Sequence, residues 1–495
     1  MNTASALLDD AAAYDAITAR DARFDGRLFV GVTSTGIYCR PICRVRTPLR
    51  RNCRFFATPA QAEAARFRPC LKCRPEIAPG TGHPWTVMDA SRTLARQAGD
   101  ALDAQAANGD APGLGALATR LGVSDRHLRR IFLAEHGVTP LQFVQTRRLL
   151  LAKQLLTDTT LPVAQVALAS GFNSLRRFNA AFADSYRMTP SRLRGDTDDH
   201  AATPDEAITV KLAYRAPYDA DALLRFVAAR AIPGIEHVDG RRIRRTLRAG
   251  TVAPQAGWIE AEFVAGSDVV RLRFAPALAT ASGRVVTAAR RWLDLDAVPQ
   301  VIDATLADLP GSPGLRLPGS LDAFELLVRA VLGQQVTVAA ARTLARRLVE
   351  RFGEPLATPW PDLARAFPAP ATLAAASLES VAELGIIRSR AGAIVAIARA
   401  WDEIVPLLAP RAPPQPLIDR LRALPGIGPW TAHYIAMRAL GWPDAFPPND
   451  VAVLKAMQQL FGTNSQREAD ARAQAWRPWR AYAVLRLWNS LEKRP

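Results

Sequence analysis

Thr35-Gly36-Ile37-Tyr38-Cys39-Arg40-Pro41-Ile42-Cys43 and Phe67-Arg68-Pro69-Cys70-Leu71-Lys72-Cys73 together carry four of the five cysteines of a 495-residue chain. The two pairs are spaced Cys-x3-Cys and Cys-x2-Cys, so each short turn can supply two thiolates to a tetrahedral zinc ion while the intervening chain closes the cage. Disulfides are the competing reading. Bridges across so few residues would strain both loops, no secretory segment precedes the pairs, and nothing else in the chain requires an oxidising compartment. The expectation is one Zn2+ held by Cys39, Cys43, Cys70 and Cys73, with Cys53 a packed free thiol. Around them, Leu28-Phe29-Val30-Gly31-Val32 and Arg54-Phe55-Phe56 read as strands and 61–67 as a short helix. A unit of this size, residues 1–80, buries little without the ion, so metal binding contributes folding energy.

The two cysteine stretches closely resemble the N-terminal methylphosphotriester repair domain of the Ada adaptive-response proteins. The resemblance implies that the first cysteine of the set, Cys39, is both metal ligand and nucleophile, taking a methyl group irreversibly from a DNA phosphotriester. That chemistry is sound in itself, because a metal-held thiolate attacks a methyl carbon whose leaving group is a phosphodiester. The neighbouring Arg40, Arg44 and Arg46 are candidates to hold the phosphate.

Length and composition bound the rest of the chain. At the usual domain size the length corresponds to about three or four domains, and 49% apolar residues without a long apolar run exclude a helical membrane protein. The net charge of +17 favours a polyanionic partner, since arginine forks match phosphate oxygens and counterion release drives association. Breaks at Pro79-Gly80-Thr81-Gly82, at Gly195-Asp196-Thr197-Asp198-Asp199 and at Leu309-Pro310-Gly311-Ser312-Pro313-Gly314 divide the chain into four parts: 1–80, 85–195, 206–308 and 315–495.

The second part reads as all helix. Leu114 to Ser124 leads into His127-Leu128 and Ile131-Phe132, an apolar helix, a glycine turn, a serine cap and another helix. Val163 to Ser174 followed by Leu175, Phe178 and Phe182 repeats the pattern, with a long helix over 140–157 between the copies. This tandem resembles the AraC/XylS class of DNA-binding domain, which also follows the methyl acceptor in Ada. Arg126, His127, Arg129 and Arg130 on one second helix, and Arg176, Arg177 and Asn179 on the other, are the candidate DNA contacts.

Residues 206–305 carry a weaker pattern, a strand over 208–212, a helix over 220–231 and three strands over 242–248, 258–264 and 269–274, which indicates a small α+β unit. Its position is similar to that of the N-terminal domain of AlkA-type 3-methyladenine glycosylases.

Leu424-Pro425-Gly426-Ile427-Gly428-Pro429-Trp430-Thr431-Ala432 is a hairpin. Gly426 and Gly428 permit a tight turn before a helix and leave backbone N–H groups free for a DNA phosphate. Pro447-Pro448-Asn449-Asp450 comes next. A hairpin with an aspartate at this distance resembles the helix-hairpin-helix glycosylase superfamily, and the aromatic residues resemble its AlkA branch. Asp450 is then the catalytic carboxylate, stabilising positive charge on the sugar as the base leaves, besides capping the helix from Val451. The resemblance places Trp430, Tyr434 and Trp479 in the base pocket, where electron-rich rings stack on a cationic alkylpurine. Trp430 stands where relatives that also cut the backbone carry a lysine, which implies a glycosylase without lyase activity. Gln335, in Leu332-Gly333-Gln334-Gln335-Val336, stands where the best-known AlkA has the leucine that fills the gap behind the flipped base. No cysteine follows Cys73, which excludes an iron–sulfur cluster. No Pro-Cys-His-Arg motif occurs, so direct repair of O6-methylguanine is not expected.

The expected protein is multidomain and mainly α with α+β parts: a small zinc domain, a tandem helix-turn-helix bundle, an AlkA-like N-terminal α+β domain and an all-α helix-hairpin-helix domain. It would act as a monofunctional DNA-3-methyladenine glycosylase, as a stoichiometric methyl acceptor at Cys39 and as a transcriptional activator in a bacterial cytoplasm, associated with the nucleoid. Its partners would be alkylated and promoter double-stranded DNA and RNA polymerase, with the chain a monomer. The competing reading is mainly a methylation-sensing activator whose glycosylase module is weak.

Overall fold

Alternation along three short strands builds the first part of the fold. In the computed structural model, which describes residues 9–80, 90–108, 113–194, 207–249, 255–408 and 412–491, Phe29–Val32 pairs antiparallel with both Ile37–Cys39 and Cys53–Phe56, and Arg68–Pro69 runs parallel to Ile37–Cys39. Gly36 closes the tight turn between the first two strands at φ +65°. At Gly31 a β-carbon would meet the Phe56 and Phe67 rings at 2.8 and 2.9 Å, so the sheet closes over its aromatic face only with glycine there. Successive residues of a strand face opposite sides. Tyr38 accordingly joins a core of Phe29, Ala62 and Phe67, while Cys39 joins one containing Val30, Cys43 and Cys70.

The contact pattern divides the chain into two units. One runs to Ala216 and takes in Val264–Thr287 and Leu295–Ala297; the other holds Pro217–Phe263, Ala288–Asp294 and the chain from Val298. The 206–308 stretch expected to be one α+β domain contributes to both. Of the three expected linkers, the one at 195–199 lies outside the described residues, as do Thr81 and Gly82 of the first.

In the first unit the helical repeats form where the apolar spacing places them: Leu114–Arg120 with Asp125–His136, and Val163–Ala169 with Leu175–Tyr186. Ser124 and Ser174 cap the second helix of each pair, accepting from the backbone N–H of His127 and Arg177. Pro140–Asp158 begins with a reciprocal Thr139–Gln142 capping box. This helix is buried along most of its length, including Lys153 and Gln154. The reason is that it packs both on the zinc part and on the strand Ile208–Ala213: Lys153 Nζ donates to Glu76 Oε2 at 2.6 Å, and Gln154 Nε2 to the Lys211 carbonyl at 2.9 Å. Ile208–Ala213 itself pairs antiparallel with Val269–Phe274.

Glu63, on the Pro59–Ala64 helix, faces this junction. Tyr38 donates its hydroxyl to Glu63 Oε1 at 3.1 Å, and the Thr146 and Tyr186 side chains lie beside the same carboxyl. Burial pushes the Glu63 carboxyl up to about 8, against the hydrogen bond from Tyr38, the nearby Thr146 hydroxyl and the charge of Lys153. A carboxyl whose folded-state pKa is raised keeps its proton in the native state after the unfolded chain has lost it. Stability therefore falls as pH rises from the ordinary glutamate range to about 8 and levels off above. Glu63→Gln should change stability little at about pH 5 and raise it by several kcal/mol, at most about 5, at about pH 9. Urea unfolding at both pH values, followed in this unit, checks the sign; parallel pH dependence of the two proteins would refute it.

The second unit contains Ala220–Arg230, a three-strand meander of Glu236–Asp239, Arg242–Ala249 and Gln255–Phe263, and the C-terminal helices. Glu236–Asp239 is a strand absent from the expected order. Its signal is the Asp239-Gly240 pair: Gly240, at φ +53°, makes the two-residue hairpin loop. At the centre of the C-terminal part Ala323–Leu332 is buried from Phe324 to Val328 and again from Ala330 to Leu332, and it packs with Arg388–Arg399, Pro414–Arg422 and Pro429–Ala439 in one apolar core. Among the described residues no helix is long and apolar enough to cross a membrane.

Candidate metal centre and candidate active site

The pairing of Tyr38 with Pro69 sets Cys39 and Cys70, each one residue further on, side by side, and the Cys70 N–H donates to the Tyr38 carbonyl at 3.0 Å. The turns after each strand bring in Cys43 and Cys73. All four sulfurs lie within 4.8 Å of one another, with Cys39, Cys43 and Cys70 buried and Cys73 half-buried. The neighbouring Cys39 pulls the Cys43 thiol down to about 7 and the Cys70 thiol lower still, while Cys43 in turn pushes the Cys39 thiol far up and the Cys73 thiol is also raised, so the four sulfurs hold their protons unequally. Four soft, close and partly ionised donors fit one tetrahedral Zn2+. Cys53 is buried and takes no part in this cluster; its thiol donates to the Leu49 carbonyl at 3.4 Å.

Backbone N–H groups complete the surroundings. Arg40 donates its backbone N–H to Cys73 Sγ at 3.3 Å, and the Val45 and Cys73 backbone amides lie near Cys43 and Cys70. Arg40 does not fit the phosphate role considered for it. Its guanidinium is 4% exposed, forms a two-pronged pair with Asp25 and donates to the Cys73 carbonyl, so it braces the metal loop from inside. Arg44 and Arg46 are exposed, as are Arg126, Arg129 and Arg130 and, on the second repeat, Arg176, Arg177 and Asn179; His127 is half-buried. Arg129 is paired with Asp125 at 2.8 Å within its helix.

In the second unit the turn at Gly426, with φ +78°, folds back against Ala393, and Gly428 starts Pro429–Ala439 without any side-chain cap. Pro425, Gly426, Gly428 and Pro429 are exposed, so the helix's N-terminal dipole and unfilled N–H groups face outward. One turn along, Trp430 Nε1 donates to Asp450 Oδ2 at 2.7 Å. Asp450 Oδ1 accepts from Val453 N at 2.9 Å and from Trp488 Nε1 at 3.2 Å. The carboxylate is 5% exposed and caps Val451–Phe461, so capping and the placement beside Trp430 hold for the same residue.

Tyr434 stacks parallel to Trp430, with centroids 5.1 Å apart at 7°, and lies 6.3 Å from the Trp488 ring. Its hydroxyl accepts from Arg438 Nη1 at 2.8 Å. Burial pushes the phenol's pKa up, but the Arg438, Arg230 and Arg329 charges outweigh it and hold the group below the usual tyrosine range. Trp479 sits elsewhere in the core, edge-on to Tyr482 at 5.8 Å and 6% exposed. The second tryptophan that reaches Asp450 is Trp488. No local motif marks it: it lies 38 positions beyond Asp450, on Arg480–Leu491, and a two-pronged Arg480–Asp444 pair at 2.6 and 2.8 Å seats that helix. Gln335 is exposed on the loop before Val338–Phe352.

Comparison with known proteins agrees with this division of labour. Residues 12–76 match the family described as metal binding domain of Ada, 117–196 a helix-turn-helix domain, 209–322 the AlkA N-terminal domain and 328–481 the HhH-GPD superfamily of base excision DNA repair proteins. A probable bifunctional transcriptional activator/DNA repair enzyme AlkA of Mycobacterium tuberculosis is 37% identical over 97% of this chain and 96% of its own length. DNA-3-methyladenine glycosylase 2 of Escherichia coli is 34% identical over 56% of this chain and 95% of its own. The bifunctional transcriptional activator/DNA repair enzyme Ada of the same organism is 37% identical over 30% of this chain and 38% of its own. The chain therefore belongs to the family of AlkA-type bifunctional transcriptional activator/DNA repair proteins.

Proposed function

We propose that the protein removes alkylated bases such as 3-methyladenine from DNA by hydrolysing the N-glycosidic bond, with Asp450 as the catalytic carboxylate. The observation that carries this reading is a nearly inaccessible carboxylate held between two indole N–H groups beside an exposed hairpin turn. A base rotated out of the helix would meet the Trp430, Tyr434 and Trp488 rings, whose electron-rich faces favour a cationic alkylpurine. As the C1′–N bond breaks and positive charge grows on the sugar, the pre-oriented carboxylate stabilises it without reorganising and directs water to C1′. Trp430, in the place of a lysine that could open the sugar, leaves the product an intact abasic strand. Release of free base from alkylated duplex DNA tests the reading, and it also decides against the alternative of an activator with a weak glycosylase module. Trp488→Phe, which keeps a ring but removes one donor to a charged group, should slow single-turnover release by about tenfold; an unchanged rate would remove Trp488 from the site.

The first unit supports a second chemistry. Cys39 attacks the methyl carbon of a DNA methylphosphotriester, a sulfur–carbon bond forms as the carbon–oxygen bond breaks, and the phosphodiester leaves as an anion. Bound zinc would keep the sulfurs deprotonated at neutral pH. Methylation turns one thiolate into a neutral thioether, lowers the negative charge of the centre and so reduces its repulsion from DNA phosphates. Tighter promoter binding by the methylated protein, through the exposed faces of Asp125–His136 and Leu175–Tyr186, would make this the switch for transcription. Equal operator affinity before and after methylation would exclude it.

A further inference from the structure

The loop between Ala323–Leu332 and Val338–Phe352 contains two neighbouring glutamines with different surroundings. Gln335 occupies the left-handed region at φ +53°, a conformation that costs a residue bearing a β-carbon on the order of 1 kcal/mol, and it is exposed together with Val336, Thr337 and Val338. Gln334 turns inward. Its Nε2 donates to the Gly426 carbonyl and to Thr431 Oγ1, both at 3.0 Å. The first acceptor belongs to the exposed hairpin turn; the second, 3% exposed, lies in the helix that carries Trp430 and Tyr434. One carboxamide thus ties the loop to the turn that faces a DNA phosphate and to the wall of the base pocket.

We propose that Gln334 is a positioning residue for base extrusion, holding the Gln335-Val336 tip at a set place beside the pocket so that it fills the stack as the damaged base rotates out. Extrusion costs a few kcal/mol of lost stacking and pairing, least for a base that is already unpaired. An inserted side chain offsets that cost best if it is ordered beforehand. A left-handed tip with no tether would relax to ordinary backbone angles and have to be reordered on every encounter. The contribution of Gln334 therefore scales with the difficulty of extrusion, whereas a residue that merely supported the pocket would affect easy and difficult substrates alike. This inference rests on the proposed glycosylase activity.

The test is single-turnover base release by the full-length protein from duplexes carrying one alkylated purine, either in a matched pair or opposite an abasic-site analogue. Gln334→Ala and Gln334→Glu, which remove the two donated bonds, should slow release from the matched duplex by about tenfold and from the unpaired lesion by less than about twofold. Gln335→Ala, which alters the tip without touching the tether, should show the same selectivity. Equal losses on the two substrates, or no loss on either, overturn the inference while leaving the glycosylase assignment in place. Failure of the unaltered protein to release base from either duplex overturns the assignment and this inference with it.

Discussion

Asp450→Asn should lower single-turnover base release by about a thousandfold or more while leaving affinity for abasic DNA nearly unchanged. Asparagine has the same shape and is an equally good helix cap, so the bond to Val453 N and the start of Val451–Phe461 survive. The negative charge does not. An amide set between the Trp430 and Trp488 indoles turns an N–H toward one of these donors and cannot balance charge developing on the sugar. The binding measurement separates chemistry from docking: the exposed turn at Gly426 and Gly428 is untouched, so the product complex should form as before. Excision retained within about tenfold would remove Asp450 from its role and return it to a cap alone.

The second large effect lies in the other unit. Cys70→Ala leaves three sulfurs, and zinc content should fall from one equivalent toward none. Loss of the ion removes an apparent binding free energy on the order of 10 kcal/mol or more, which here is also folding free energy. Amide exchange should then open across Phe29–Val32, Ile37–Cys39 and Cys53–Phe56. Cys39→Ala removes a ligand too, so zinc content should fall with it as well, but it also removes the methyl acceptor itself. With unaltered protein, incubation with methylphosphotriester DNA should add the mass of one methylene to the Cys39 peptide, and that gain should vanish in the variant without passing to another cysteine. A mass increase on Cys43 instead would reassign the acceptor. Base release belongs to the second unit, so it should survive both substitutions.

Much of the fold is legible in order along the chain. The cysteine spacing suffices for the ligand set because a short turn leaves two thiolates few other places to go, and the two serine caps are readable because capping is local. The features hidden from the sequence depend on contacts between distant segments. Arg40 looks like an exposed phosphate ligand because nothing near it announces Asp25; Trp488 looks like core because its partner is fixed by the packing of the last helix. Glu63 is the extreme case. A glutamate on a short surface-type helix becomes an interior group only because Tyr38, Thr146 and Tyr186 arrive from three other elements. Glu236–Asp239 escapes for the opposite reason, since its Asp-Gly turn is visible locally and is outweighed by the polar residues on either side.

The alternation of Tyr38 and Cys39 on one short strand bears on how such a gene can be shuffled. A recombination that moved only residues 1–80 into a new host would transplant an intact cage for the metal, yet its other side would arrive bare. Tyr38 and Glu63 would lose Thr146 and Tyr186, and Glu76 would lose Lys153. The heritable cassette is therefore longer than the motif that advertises it: the cysteines and the helices through Tyr186 should travel together, or the donor strand should acquire a new apolar lining where it lands.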